Sequence, residues 1–432
     1  LYLENTVLNK HLFKNSLYTG AALCFVGFVP FIFNILVARI FGKETLGTIN
    51  VALSFCLVLT VFVTNFFGTS GNKFLAEYRG RQSLEPFKLV FFTILIGPVI
   101  VLTFLNAAMV WHWDYIVLRF SVQPNFLVPM VSYIYFRSFY IIFRRMFYGI
   151  DLVPFYAINE IVSDIILIAA IGAVCWLRLP HLLIQSYVLG YSIFTVISIL
   201  VLYRHYAEIV GPLHPQENYQ TKSVLIDYFK YGFITMAGTA SSTGTGYLSM
   251  LFTGYFLTST DAGLYSSVLA IVSILMFLPR LVTQVLLPEF SKLFGAGEEN
   301  SIIHTLKYSF WFLFIIAMII NGFLFVFAED ILSIFGNSFS SGSLILRIII
   351  PGVFIRMISV PLVTFLSATE YVVYPNIGGI IILIVSVVTW SIAVPAYDLT
   401  GIAAGYVAGI SIGIGYQIVM AVIKLRSFSS KH

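Results

Sequence analysis

The stretch YVLGYSI at residues 187–193 returns as YVAGISI at residues 406–412, a shift of 219 positions along the chain. Both copies lie in long apolar blocks, and the same shift carries Arg137 onto Arg356. Two matches at one spacing indicate an internal duplication, in which one structural unit is used twice. This duplication decides the fold, because an element predicted in one half is expected again in the other.

The two copies divide the chain near its middle. A shift of 216, which is half of the 432 residues, brings Gly47 onto Gly263. We therefore predict an N-terminal half over residues 1–210 and a C-terminal half over residues 227–432. The connector between them, residues 211–226, is too short to fold alone and is predicted to be a linker.

The composition excludes a water-soluble protein. Hydrophobic residues make up 59% of the chain and charged residues only 10%, whereas roughly a quarter of a soluble domain is charged. The apolar residues form twelve blocks of about 20 to 25 residues, the length of helix that crosses the hydrocarbon core of a bilayer. The sequence thus predicts an all-α polytopic membrane protein with about twelve transmembrane helices, six in each half.

The positive residues predict the orientation. Sixteen of the twenty-four Lys and Arg residues fall at the termini or in the connectors on one side of the predicted spans. Cytoplasmic loops retain positive charge, so this side and both termini are predicted to be cytoplasmic. The net charge of +5 is then a topology signal and gives no support to a nucleic-acid partner. Six crossings return the chain to the same side, so an axis along the membrane normal relates the halves, and a substrate is expected between them.

Six ionisable side chains lie within the predicted spans. Each costs about 2.5 to 3.5 kcal/mol to insert into hydrocarbon, so each is expected to face protein or water and is a functional candidate. They are Arg137, Glu160, Asp164, Arg280, Arg347 and Arg356.

Glu160 and Asp164 are the two acidic members of this set. They are four residues apart and share a helix face, where two buried carboxylates repel each other. One interpretation is a proton or sodium site that couples transport to an ion gradient. The other is structural pairing with Arg137, which lies at a matching depth on the preceding helix, and with Arg144.

Arg356 has no acidic neighbour at its depth on the following helix, because the positions equivalent to Glu160 and Asp164 are Gly379 and Leu383. A guanidinium group binds phosphate through two parallel hydrogen bonds and stays charged. The repeat-related pair Arg137 and Arg356 is therefore predicted to clamp a diphosphate near the axis between the halves.

The other two arginines lie nearer the membrane surfaces. Arg280 is about 12 Å inside the predicted cytoplasmic end of its helix, and we predict that it captures phosphate on the loading side or snorkels to the surface. Arg347 is one turn from the outer surface, so snorkelling competes with substrate binding there.

The seventh apolar block differs from its neighbours by a high density of small polar residues. Thr239, Ser242, Gly244 and Gly246 represent them. Close packing against another helix is one explanation. The alternative is a bendable helix that lines the cavity, with hydroxyl groups for sugar or water and the two glycines as the bending point.

No catalytic or metal site is predicted. The seven histidines lie in connectors or at termini, with no ligand spacing and no neighbouring nucleophile. No phosphate-binding glycine loop or nucleotide site is recognised, so we expect no cofactor, and any pumping would use H⁺ or Na⁺ or the membrane potential.

Short motifs along the chain resemble the polysaccharide-exporter and O-antigen flippase branch of the superfamily that also holds multidrug and toxic-compound extruders and peptidoglycan-precursor flippases. They are Lys14-Asn15-Ser16, Val37-Ala38-Arg39-Ile40-Phe41-Gly42, Leu46-Gly47, Ala262-Gly263-Leu264-Tyr265-Ser266, Leu278-Pro279-Arg280, Leu287-Pro288-Glu289-Phe290-Ser291-Lys292 and Gly401-Ile402-Ala403-Ala404-Gly405. The resemblance implies a MATE-like fold of two pseudo-symmetric six-helix bundles with a V-shaped cavity between them.

The resemblance also implies a substrate and a setting. The substrate is an oligosaccharide on a polyprenyl diphosphate, moved by alternating access to the outer leaflet of a prokaryotic cytoplasmic membrane for cell-surface polysaccharide biosynthesis. The cavity of the related peptidoglycan flippases is lined by arginines, and we transfer only that charge character to Arg280, Arg356 and Arg137. Membrane lipids are expected partners, a polysaccharide polymerase or glycosyltransferases are candidate partners, and one chain is expected to be the transport unit.

Two alternatives stay open. The first is an ion-coupled multidrug or cation extruder of the same fold, which would need an acidic cavity, whereas the predicted spans hold four arginines and two carboxylates. The second is a membrane glycan polymerase or glycosyltransferase, which would need a large external loop or an interfacial cluster of His, Asp and Glu.

Overall fold

A computed structural model describes the backbone of residues 2–215 and 220–429, and the side chains of residues 27–215, 220–298 and 300–426. The side chains of the Lys14-Asn15-Ser16 motif and part of the predicted linker therefore lie outside the described residues.

Within these ranges the chain forms fourteen α-helices and three short 3-10 turns at Pro124–Phe126, Pro180–Leu182 and Asn337–Gly342. The helices are α1 (Tyr2–Gly80), α2 (Leu84–Trp111), α3 (Trp113–Phe120), α4 (Leu127–Gly149), α5 (Val153–Leu177), α6 (Leu183–Val210), α7 (Thr221–Phe256), α8 (Ser259–Leu275), α9 (Phe277–Gly295), α10 (Glu299–Val326), α11 (Ala328–Ser333), α12 (Ser343–Ile358), α13 (Val360–Ala368) and α14 (Val373–Ser429).

Two of these helices, α1 and α14, are each made of two helices joined at a sharp turn. The turn in α1 is at Gly42, with φ 82° and ψ −176°, and the turn in α14 is at Asp398, with φ 48° and ψ −129°. Glycine takes a positive φ at little cost because it has no Cβ. Each of the two long helices therefore supplies two membrane crossings.

Nine helical segments of the described chain are long and apolar enough to cross a membrane, and two of them are the 54-residue segments that contain these turns. Helix α7 is not among the nine, because its serines, threonines and glycines lower its hydropathy. Its 36 residues nevertheless span about 54 Å, more than a bilayer core requires. With α7 included and the two long segments counted twice, the described chain has twelve segments long enough to cross a membrane, and the predicted all-α polytopic fold is confirmed.

The chain packs as two compact units. Unit 1 comprises Leu1–Phe33 and Phe55–Met236, and unit 2 comprises Asn34–Ser54 and Ala237–His432. The short segment around the turn of α1 thus packs in unit 2, and the first sixteen residues of α7 pack in unit 1. The division of the sequence into residues 1–210 and 227–432 stays a prediction about the duplication.

In unit 1, the start of the predicted linker is attached to the α1–α2 connector. His214 N–H donates to Gln82 O at 2.8 Å, and Leu84 N–H donates to His214 O at 3.1 Å. Ser83, between these two, and Leu213 are buried. This short backbone bridge gives the linker a defined path over unit 1 up to residue 215.

In unit 2, the repeat-related glycines Gly47 and Gly263 lie at one close contact between α1 and α8. A Cβ on Gly47 would overlap the Ser259 carbonyl oxygen, and a Cβ on Gly263 would overlap the Lys43 carbonyl oxygen. Each glycine thus faces the residue four positions before the other. Small residues are needed where helices approach this closely. The internal duplication therefore places the two glycines at a shared contact.

Two further helix breaks in unit 2 are caused by proline. Helices α8 and α9 are separated only by Met276, and α12 and α13 only by Ser359. A proline ring clashes with the carbonyl four residues earlier. For Pro279 that carbonyl belongs to the last residue of α8, and for Pro361 it belongs to the residue before the last of α12. Both prolines lie in the first turn of the new helix, where no N–H is required.

Candidate substrate and cation sites

Glu160 and Asp164 are buried side by side on one face of α5. Their exposed fractions are 0% and 4%. The Tyr140 hydroxyl of α4 donates to Glu160 Oε1. Glu160 Oε2 and Asp164 Oδ2 have no hydrogen-bond partner among the described residues. Two such oxygens that share a buried face are suited to a proton or a small cation, since an unsatisfied buried oxygen is costly.

Two arginines of α4 balance these carboxylates. Arg137 and Arg144 both interact electrostatically with Glu160 and Asp164. The structure therefore brings together Arg137, Glu160 and Asp164, which the sequence suggested from matching depth and helical spacing, and adds Arg144. With both carboxylates ionised the four groups have no net charge, and one cation would make the cluster positive.

A group of buried tyrosines surrounds Arg137. Its guanidinium carbon lies 4.8 Å from the ring centre of Tyr140 and 5.0 Å from that of Tyr191. Tyr191 also contacts the rings of Tyr133 and Tyr187 at 5.8 and 5.9 Å. A guanidinium over an aromatic face is attracted by the ring electrons, more strongly where water is excluded. The tyrosines therefore hold Arg137 in place.

Sequence reasoning did not identify these tyrosines. The sequence does contain a helical spacing of tyrosines. Tyr133 and Tyr140 are seven residues apart on α4, and Tyr187 and Tyr191 are four apart on α6. Both spacings place two side chains on one helix face. In a chain with 25 tyrosines such spacing is common, so only packing distinguishes these four.

Arg145, next to Arg144, has a structural role. Its guanidinium donates to the carbonyl of Thr64 at 3.2 Å, to Thr69 Oγ1 at 2.5 Å and to Asn65 Oδ1 at 3.0 Å. Gly68 leaves room for it, because a Cβ there would lie 2.8 Å from Arg145 Cδ. This side chain ties α4 to the second part of α1 within unit 1.

We expect Arg145→Lys to destabilise the protein by about 2 kcal/mol, because an ammonium group cannot reach all three acceptors in the geometry of the guanidinium fork. Thermal unfolding of the purified protein in detergent measures the loss. Arg81→Lys is the matched control, since Arg81 forms an exposed pair with Glu77 at 2.7 Å and such pairs contribute little. Equal unfolding temperatures for Arg145→Lys and wild type would contradict this assignment.

Arg356 lies partly buried in the last turn of α12. No carboxylate of the described residues lies within 4 Å of its guanidinium. Its backbone carbonyl accepts a hydrogen bond from Ser359 Oγ at 3.0 Å, where α12 ends. Among the described residues, the Arg356 side chain thus has no carboxylate as a counter-charge.

Arg280 lies in α9, which packs against α13 in unit 2. The rings of Phe290 in α9 and Phe365 in α13 are 6.1 Å apart, and Ser291 Oγ donates to the carbonyl of Ala368 at 3.2 Å. These two helices are two crossings apart, so they run in the same direction. Helix α13 follows α12, the helix of Arg356, after the break at Ser359. Arg280 is exposed.

Arg347, on the first part of α12, has partners of its own. Its Nε donates to the Phe325 carbonyl at 3.2 Å, and its Nη2 lies 3.4 Å from Glu329 Oε1. The two charged side chains are 34% and 61% exposed, so the ion pair is weak. Arg347 therefore has a nearby carboxylate, that of Glu329.

Helix α7 presents two different faces. On the buried face the hydroxyl groups of Ser241, Thr245 and Thr253 donate to carbonyls four residues earlier, at 2.5 to 2.8 Å. A Cβ on Gly238 would overlap Asn376, which shows a close approach to α14. Close packing therefore explains this face.

The other face of α7 is more open. Thr239 is exposed, and Ser242 and Gly246 are partly so, with no atom within 4 Å of a Cβ on Gly246. Gly244 is buried. The helix runs unbroken through both glycines in this conformation. The sequence treated Thr239, Ser242, Gly244 and Gly246 as one group, whereas the structure buries Gly244 and leaves the other three at least partly exposed.

Two family models match the chain. One, described as polysaccharide biosynthesis protein, matches residues 12–294, which is more than half of the chain. The other, described as MatE, matches residues 235–393. None of the curated proteins matches significantly.

Solved structures match nearly the whole chain. An inward-facing multidrug resistance MATE family transporter of the multidrug/oligosaccharidyl-lipid/polysaccharide (MOP) superfamily has a TM-score of 0.76 at 12% identity, with 96% of each chain covered. The lipid II flippase MurJ, in an inward closed conformation, has a TM-score of 0.71 at 16% identity, covering 96% of this chain and 90% of its own. A MOP superfamily transporter from Pyrococcus furiosus, described by a binding pocket of reverse polarity, has 0.69 at 13% identity, covering 97% and 96%. Identities this low show the fold alone, and they confirm the predicted MATE-like fold.

Proposed function

Because this chain belongs to the polysaccharide biosynthesis protein family of the MOP superfamily, we propose that it is a flippase for polyprenyl-diphosphate-linked oligosaccharides. It moves its substrate by alternating access from the cytoplasmic to the outer leaflet. Membership of the family makes the chain a multi-pass membrane transporter. The identity of the substrate is our proposal.

The observation that supports this substrate most directly is Arg356. A partly buried guanidinium in a membrane-spanning helix, with no carboxylate of the described residues within 4 Å, requires an anion or water. A diphosphate supplies two adjacent anionic groups for bidentate hydrogen bonds. Arg280, which is exposed on α9 of the same unit, is a second candidate for binding phosphate. Arg137 is a further candidate, and Arg347 has a lesser role because Glu329 competes for it.

The matching MatE model favours one alternative, an extruder of organic cations. That function needs a net negative site. Here the buried carboxylates Glu160 and Asp164 are opposed by Arg137 and Arg144, while Arg280 and Arg356 add positive charge elsewhere. The balance of charge therefore supports an anionic substrate.

Reconstitution into proteoliposomes tests the proposal. A fluorescent polyprenyl-diphosphate N-acetylglucosamine is placed in both leaflets, and a membrane-impermeant quencher reports its movement. We expect the purified protein to speed this movement over protein-free vesicles and to leave an organic cation dye at its background rate. Export of the dye without movement of the lipid-linked sugar would establish the extruder function instead.

We further propose that Glu160 and Asp164 bind the coupling cation, H⁺ or Na⁺, from the same cluster. The two buried oxygens without a hydrogen-bond partner suit such a ligand. The exposed face of α7, with Thr239 and Ser242, lines the path of the sugar, and Gly244 and Gly246 allow that helix to bend.

For the coupling we expect Glu160→Gln with Asp164→Asn to abolish the response of flipping to an imposed pH or sodium gradient, because neither amide releases or exchanges a cation. The rate with and without each gradient is measured in the same vesicles. Asp227→Asn, which neutralises an exposed carboxylate of α7, serves as the control. A double variant that responds to the gradients like wild type would exclude these residues from coupling.

The remaining parts of the proposal concern the setting. We propose that the protein lies in the plasma membrane of a prokaryote, and the distribution of its positive residues supports a cytoplasmic position for both termini. Glycosyltransferases that assemble the lipid-linked sugar would supply the substrate, and a polymerase on the outer side would consume it. A single chain forms the transport unit.

A further inference from the structure

Tyr140 touches both a candidate cation-binding group and a candidate substrate-binding group. Its hydroxyl donates to Glu160 Oε1, and its ring lies under the Arg137 guanidinium with 4.8 Å between the ring centre and the guanidinium carbon. Arg137 and Tyr140 are three residues apart on α4, so they share a helix face, whereas Glu160 belongs to α5. One side chain therefore links two functions that the sequence assigned to separate residues.

The ring of Tyr140 has little freedom to move. It is 3% exposed and is packed by Tyr191 and Phe194 of α6, with ring centres 4.7 and 4.8 Å away. Tyr191 is also the second ring beneath Arg137. A change at the hydroxyl thus affects a ring that supports the arginine, and burial strengthens the polar interactions between these groups.

The groups that face Glu160 come from every helix packed around it. Helix α4 supplies Tyr140, Arg137 and Arg144, α5 supplies Tyr156 and Asp164, and α6 supplies Tyr191 beside Arg137 and Tyr187 beside Asp164. Among these, Tyr140 is the hydrogen-bond donor to the Glu160 carboxylate. Its hydrogen bond to Oε1 stabilises the ionised carboxylate and so opposes a cation at Oε2.

We propose that Tyr140 is a positioning residue that couples cation binding at Glu160 to anion binding at Arg137. With Glu160 ionised, the hydroxyl stays on the carboxylate and the ring holds Arg137 toward α6. A proton or Na⁺ at Glu160 Oε2 removes one negative charge and weakens the hydrogen bond from the hydroxyl to Oε1, and Arg137 is released to a phosphate group. This inference rests on the proposed function, because it takes Arg137 as a ligand of the diphosphate.

Thermodynamic linkage gives the coupling a direction. If a cation on Glu160 favours phosphate at Arg137, phosphate at Arg137 favours the cation by the same factor. Diphosphate affinity should therefore rise as the pH falls, or as Na⁺ is added, until Glu160 is saturated. The hydroxyl of Tyr140 opposes the cation, so it sets the concentration at which this rise occurs.

The test uses Tyr140→Phe, which removes the hydroxyl and keeps the ring. Binding of farnesyl diphosphate to the purified full-length protein is measured against pH in sodium-free buffer, and against Na⁺ at fixed pH. Loss of a hydrogen bond to a charged group shifts a protonation equilibrium by about one pH unit. We therefore expect the pH midpoint of farnesyl diphosphate binding to move about one unit upward, or the Na⁺ concentration needed for half-maximal binding to fall about tenfold. The titration that shifts in Tyr140→Phe, against pH or against Na⁺, identifies the cation. Unchanged midpoints in both titrations overturn the proposal.

Two further variants keep the test decisive. Tyr228→Phe removes the hydroxyl of another buried tyrosine of unit 1, which donates to the carbonyl of Phe67 at 3.3 Å, and it should leave the midpoint in place. In a Glu160→Gln background, where the cation dependence is lost, adding Tyr140→Phe should change the affinity no further. An equal effect of Tyr140→Phe with and without Glu160→Gln would show that the tyrosine only packs, and would overturn the coupling.

The two proposals fail in different ways. If wild type flips the lipid-linked sugar while Tyr140→Phe keeps the wild-type cation midpoint, the flippase function stands and the coupling role is wrong. A wild type that neither flips that lipid nor binds farnesyl diphosphate overturns both.

Discussion

Arg356→Ala is expected to slow flipping of the lipid-linked sugar about 100-fold, because two charge-assisted hydrogen bonds to a diphosphate are lost, a net of about 2.7 kcal/mol. The same substitution should not weaken the fold. Arg356 has no carboxylate of the described residues within 4 Å, so no buried partner is left behind when it is removed.

The measurement is the initial flipping rate in proteoliposomes, together with the unfolding temperature in detergent. Arg356→Lys should recover part of the activity, since it keeps the charge and loses the planar fork. Arg204→Ala is the control, because it removes an exposed arginine from the end of α6. A wild-type rate for Arg356→Ala at normal protein levels would remove the main support for a phosphate-bearing substrate.

Gly263→Ala should destabilise the protein by about 3 kcal/mol, the upper end of the usual cost of overpacking. A Cβ at Gly263 would overlap the backbone carbonyl of Lys43, which cannot turn aside as a side-chain end can. The helices must therefore separate or shift along their axes. Because Lys43 and Gly47 belong to the short segment of α1 that packs in unit 2, this segment should become the most easily displaced part of the unit.

Thermal unfolding and cysteine labelling of the segment around Gly42 measure these two effects. Gly322→Ala provides the matched control, because Gly322 is also inside a helix and a Cβ there would have no atom within 4 Å. Alanine favours helix over glycine by about 1 kcal/mol, so this control should be neutral or stabilising. Equal stability of the two alanine variants would refute the close contact.

The general architecture was predictable because it depends on local properties of the sequence. The length and hydropathy of the apolar blocks required helices that cross a membrane, since backbone polar groups cannot be left unpaired in hydrocarbon. The duplication predicted a shared role for Gly47 and Gly263, although not their mutual contact. Helix α7 was correctly placed in spite of its low hydropathy, because the pattern required a seventh crossing between the linker and α8.

The candidate sites were predictable only in part. Charges within apolar blocks identified Glu160, Asp164 and Arg356, since each is costly unless it has a function or a partner. Tyr140 was not found, because a tyrosine carries no such cost in an apolar block. Arg145 was not identified from the sequence either, and its three hydrogen bonds with α1 emerge only from the packing.

The sequence by itself determined that this chain is a duplicated polytopic helical protein with isolated positive charges inside its spans, because hydropathy, length and repeat spacing act along the chain. Only the tertiary structure decided which charges have partners. Glu160 and Asp164 have Arg137 and Arg144 within electrostatic reach, Arg347 has Glu329, and Arg356 has no carboxylate nearby among the described residues. The physical reason is range: an ion pair or hydrogen bond requires separations of about 3 to 4 Å between residues far apart in sequence.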